Sequence, residues 1–146
     1  MIAPLFLAAA LPLALQSATP LLIPPLRSRS QVEVPITPAK TSAMLDNLAR
    51  QCGERQLQVI TRDEVQVTCS YEPDYASRLS YITAKPRPEG PLLGYVRFAV
   101  VRGGGALRIQ ALRYAEFRAA GELRQQVSDD VTVLREMIAQ AQSSRS

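Results

Sequence analysis

The stretch YVRFAVVRGGGALRIQALRYAEFR, residues 95–118, leaves this chain the least conformational choice. Two runs of alternating apolar and polar residues flank three glycines. A period of two marks a strand with one buried face, and glycine accepts the positive φ that a tight hairpin turn requires. A two-residue turn at Gly103 and Gly104 sets Val100 opposite Leu107, Phe98 opposite Ile109 and Val96 opposite Ala111. The other face then carries Tyr95, Arg97, Ala99, Arg108, Gln110, Leu112 and Tyr114. After Ala111 the alternation loosens: Leu112 follows directly and Arg113 takes the apolar phase. A bulge or strand end is expected there.

A second hairpin is read in LQVITRDEVQVTCSY, residues 57–71. With Arg62, Asp63 and Glu64 as its loop, Val59 faces Val67 and Leu57 faces Cys69, which sets apolar opposite apolar. Upstream, Met44, Leu48 and Cys52 recur at i, i+4 and i+8, with Leu45 beside them, so residues 42–51 read as a helix. Thr41 or Ser42 is its cap, and Gly53 is its left-handed stop. This arrangement brings Cys52 near Cys69. A bridge between them closes a loop of about 18 residues and contributes roughly 3 kcal/mol in the chain-entropy account. A last helix is read from Ser128, Asp129 and Asp130, a hydroxyl cap followed by acids at the positive end of the helix dipole. Val131, Leu134 and Ile138 form its apolar stripe.

Between the hairpins, residues 72–94 read as a long connection holding Tyr75 and Tyr81. RLSYITA is a short strand within it and KPRPEGP a Pro-rich turn. The order is helix, hairpin, connection, hairpin, helix. The expected fold is α+β in two layers: a four-stranded antiparallel sheet of two hairpins, with two helices on one face. A fifth, edge strand is admissible in QVEVPIT, residues 31–37, where Pro35 excludes a central position.

Residues 2–15 carry no charge and no strongly polar side chain. Fourteen residues fall short of the roughly 20 of a spanning helix and inside the roughly 7–15 of a signal-peptide core. Gln16, Ser17, Ala18 and Thr19 end the run. Residues 1–18 therefore read as an export signal, which makes the protein periplasmic or secreted. Residues 19–40 read as a Pro/Ser-rich tether, 41–141 as one α+β domain and 142–146 as a frayed tail. No Lys or Arg precedes the apolar run. The alternative is an uncleaved anchor reaching Leu21, Leu22 and Ile23, which Pro20, Pro24 and Pro25 interrupt. Membrane contact is expected only if that segment is retained. Export also makes the disulfide chemically sensible.

The chain has no His and only two Cys, so the usual nucleophile–base pairs and structural zinc sites lack their residues. No metal and no cofactor is expected. RGGGA between two strands is a turn, not a phosphate loop. The net charge of +4 is concentrated in one segment: residues 85–118 hold seven Lys or Arg against two Glu. The expected role is thus a non-enzymatic interaction module. It would bind a protein or an anionic envelope component through a basic sheet face of Tyr95, Arg97, Arg108, Gln110 and Tyr114. Two aromatics without a motif, on an exported chain, argue against nucleic acid. The alternatives are a carboxylate-based envelope hydrolase using Glu72 and Asp74, and an inhibitor of a secreted enzyme acting through the 84–92 loop.

Overall fold

The two longest strands form the hairpin that the glycines announce. β4 (Pro88–Gly103) and β5 (Ala106–Ala119) pair antiparallel along their length in the computed structural model, which describes residues 30–144. The export signal read over residues 1–18 lies outside the described residues. The turn sits one residue later than expected, at Gly104 and Gly105, whose φ values are 60° and 78°. Val100 therefore faces Ile109, Phe98 faces Ala111 and Val96 faces Arg113. Any of three consecutive glycines accepts the left-handed backbone, so composition did not choose between them. Moving the turn by one residue shifts partners by two, which leaves each side chain on its expected face. No strand end or bulge follows Ala111: β5 continues to Ala119, and the one irregularity in this ladder falls between Glu89 and Leu93.

The sheet has six strands rather than four. β1 (Val32–Pro35) lies in the segment read as a tether and pairs with residues 108–111 of β5. β2 (Gln58–Arg62) and β3 (Gln66–Tyr71) form the second hairpin, and β3 pairs with β4. β6 (Glu122–Val127) was not anticipated and pairs with residues 114–119 of β5, beyond β1. Ala120 and Gly121, at φ 54° and 74°, make its turn. The spatial order is β1-β5-β4-β3-β2, with β6 on β5.

The register of the second hairpin also differs. Val59 faces Cys69 and Arg62 faces Val67, with a bulge between Val59 and Thr61. The turn is anchored by Asp63, whose Oδ1 accepts from the N–H groups of Val65 and Gln66 at 2.9 and 3.0 Å. That side-chain turn overrides the apolar matching and moves the loop toward Val65. Val59 and Ile60 are left 38% and 52% exposed on the outermost strand.

Among the described residues, three α-helices complete the α+β fold. α1 (Thr41–Glu54) is longer than expected because Gly53 stays helical and Gln56 takes the left-handed position, at φ 62°. The N–H of Leu57 donates to the Cys52 carbonyl at 2.8 Å and that of Gln56 to the Gly53 carbonyl at 3.1 Å. These are the two bonds of a Schellman ending. α3 (Thr132–Ser143) starts later than the Ser128 cap implied: the Asp130 carboxylate accepts from the Thr132 N–H at 3.1 Å. Leu45, Leu48, Leu134 and Met137 from these helices meet Val67, Val96, Phe98 and Ile109 of the sheet, all essentially without solvent contact. Each such side chain contributes roughly 1.5–3 kcal/mol on burial. The Cys52–Cys69 disulfide, with Cα atoms 6.4 Å apart, staples α1 to β3 inside this core.

Residues 72–94 hold the largest departure. α2 (Tyr75–Ile82) replaces the expected strand in RLSYITA. Asp74 caps it, accepting from the Ser77 N–H at 2.8 Å. β4 already begins at Pro88, so the free connection shrinks to residues 83–87, and most of the 84–92 loop imagined for an inhibitor is strand.

Candidate functional site

Strand parity places Tyr95, Arg97, Arg108, Gln110 and Tyr114 on one face of β4 and β5, opposite the helices. Tyr95 and Tyr114 are cross-strand partners with ring centroids 5.5 Å apart. Arg97 lies one step along β4 and donates from Nε to Gln66 Oε1 at 2.9 Å. Arg108 and Gln110 meet the neighbouring strand: Arg108 pairs with Glu33 at 3.0 Å, and Gln110 donates to Gln31 and Glu33 at 3.0 and 3.2 Å.

The five residues are unequally accessible. Arg97 is 5% exposed and Tyr114 6%. Burial pushes the Tyr114 phenol up to about 12, and burial also lowers the Arg97 guanidinium below its usual range. Tyr95 and Gln110 are half-buried and Arg108 is exposed. The accessible part is therefore Tyr95, Arg108 and Gln110, with the Arg108 charge balanced by Glu33. This patch is polar and close to neutral, not a strip of free cations.

The two carboxylates considered for hydrolysis have other partners. Glu72 is paired with Arg78 at 2.9 Å. Asp74 is the α2 cap, and the Ser77 N–H holds its carboxyl below the usual range. An acid tuned that way is a poor proton donor at neutral pH. A concavity of about 800 Å³ lies elsewhere, between β1 and the facing parts of α1 and α3. Val34, Ile36, Met44 and Asn47 are among its walls, and Lys40 stands beside it. Among the described residues, no group of three or more His, Cys, Asp or Glu is placed to hold a metal ion.

Two features escaped the sequence reading. Arg113 enters the apolar phase because it has a partner there: its guanidinium carbon lies 4.5 Å from the Tyr71 ring centroid. Burial raises the Tyr71 phenol, and Arg113 is one of the charges that hold Asp74 and Asp130 low, after the backbone N–H groups those acids cap. Gly94 makes room for the Arg113–Tyr71 joint, since a Cβ there would stand 2.7 Å from the Tyr71 carbonyl oxygen. The second feature is the outer side of α2. Tyr75, Leu79 and Ile82 are 78%, 45% and 73% exposed at spacing i, i+4 and i+7. Asp74 followed by that spacing was the available signal for the helix.

Among the described residues, no helix is long and apolar enough to cross a membrane. Comparison with protein-family models and with curated proteins finds no match for this chain.

Proposed function

We propose that this protein is an exported, non-catalytic binding module of the cell envelope, and that its protein-binding patch is formed by Tyr95, Arg108 and Gln110. The disulfide is consistent with an oxidising compartment such as the periplasm or the extracellular space. The observation that carries the patch is its composition. A charge-balanced arginine and an amide lie together on β5, with Glu33 and Gln31 completing their hydrogen-bonding set, and a half-exposed tyrosine, opposite Tyr114, lies four residues further along the same face. Tyrosine and arginine are the side chains enriched where proteins meet. The balanced charge favours a protein partner over a simple anion. Arg97 and Tyr114 share that face but are buried, and are not assigned to the contact.

The test is a photocrosslinking side chain at position 110 in the full chain, activated in cells, with the same probe at the exposed Glu136 of α3 as control. A discrete adduct from position 110 alone, lost in Arg108→Glu, is expected. No adduct, or the same adducts from both positions, overturns this assignment.

A further inference from the structure

The outer side of α2 has apolar groups in water, and we infer that it is the surface by which the protein lies on an anionic lipid bilayer. This inference deepens the envelope-module reading and rests on it, but it uses a different face from the Tyr95 patch.

Tyr75, Leu79 and Ile82 form a stripe along all of α2, each more than two-fifths exposed. A short helix in a soluble domain normally turns such a stripe inward. α2 turns a different side inward: Ser77 is buried, and Tyr81 packs edge-on against Phe117 with ring centroids 5.4 Å apart. The Tyr81 hydroxyl also donates to the Gly90 carbonyl at 2.5 Å. The helix is therefore seated on the sheet with its apolar stripe outward.

Charge selects the occupant. No acid occurs from residue 75 to residue 88, whereas Arg78, Lys85 and Arg87 all lie there and are exposed. Arg124 joins them by donating to the Lys85 carbonyl at 3.3 Å. Arg78 is balanced by Glu72, which leaves Lys85, Arg87 and Arg124 as the cations beyond the end of the stripe. An exposed apolar stripe beside a cluster of Lys and Arg is the layout of an interfacial helix: the stripe enters the acyl boundary and the cations meet anionic headgroups. The patch is small, so binding should be reversible and salt-sensitive.

The experiment is co-sedimentation of the full, oxidised chain with phosphatidylglycerol/phosphatidylcholine vesicles and with phosphatidylcholine vesicles alone. Binding to the first and not the second is expected, with loss at high salt. Lys85→Glu with Arg87→Glu should lower the partition coefficient about tenfold or more, since each cation near an anionic surface is worth several-fold in affinity. Leu79→Ser with Ile82→Ser should lower it similarly without altering the circular dichroism spectrum. If that second variant fails to fold, the charge-reversed one still decides the matter. Equal partition into both vesicles, no binding to either, or undiminished binding by the charge-reversed chain overturns the inference. Capture by polyglutamate without vesicle binding also overturns it, in favour of an acidic protein. Vesicle failure with an intact crosslink at position 110 sinks this surface alone; the reverse pattern sinks the Tyr95 patch alone.

Discussion

The two helix-bearing regions of the sheet are built on different terms. At one, α1 and α3 enclose Phe98, Val67 and Ile109 between them, and the Cys52–Cys69 bridge locks α1 to β3. At the other, α2 is a single short helix held by a cap and an aromatic edge contact, with most of its large apolar side chains outside. The first region has the burial that stabilises a domain. The second has large apolar side chains that stay in solvent and gain little from folding. Substitutions on the outer side of α2 should therefore leave the stability of the enclosed region nearly unchanged.

The largest expected break is Phe98→Ala, at a fully buried position in the enclosed region. It should cost about 3–5 kcal/mol in urea unfolding, whereas Ile82→Ala on the outer side of α2 should stay within about 0.5 kcal/mol. A comparable loss from both would abolish the contrast. Next is the staple: reducing the disulfide, or replacing both cysteines with serine, should cost about 3 kcal/mol, read as a lower urea midpoint. Gly94→Ala comes third. Its Cβ would press on the Tyr71 carbonyl and ring, and overpacking of this kind costs about 1–3 kcal/mol. Loss of the Tyr71 near-ultraviolet signal should accompany it if the joint to Arg113 loosens.

Asp74→Ala is the smallest and acts through α2 alone. A lost cap costs about 1 kcal/mol. The Asp74 carboxyl is held low by the Ser77 N–H, so its contribution is present above the unfolded value near pH 4 and is lost as pH falls through the lower folded value. The variant should therefore lose less stability than the parent on acidification below about pH 4. Asp130, held low by the Thr132 N–H, responds in the same direction and stays intact in this variant.

What the sequence made legible follows from which constraints are local. The faces of β4 and β5 were readable because side-chain parity survives a turn that moves by one glycine. The disulfide was readable because the helix end and the β3 phase both point a cysteine inward. Partner-by-partner register was not readable: in β2–β3 it is set by the Asp63 side chain gripping two N–H groups. β6 was missed because ELRQQV barely alternates and Ala120 is an unusual residue for its turn. α2 was mistaken for a strand because it is one short piece with Tyr and Ile, and its apolar stripe has no core to face. Tyr95, Arg97, Arg108, Gln110 and Tyr114 share one face, as parity requires. Strand parity tells which face a side chain is on and not how much of it stays in solvent, so Arg97 and Tyr114 looked accessible when they are buried.

Hydrogen–deuterium exchange of the oxidised full chain, followed by mass spectrometry of its peptides, tests the division between the two regions most directly. The account predicts that amides of α1 and the middle of β3, β4 and β5 exchange only through global unfolding. Those of α2 should exchange through a local opening of clearly lower free energy. Amides of α2 protected as strongly as those of α1 would contradict it.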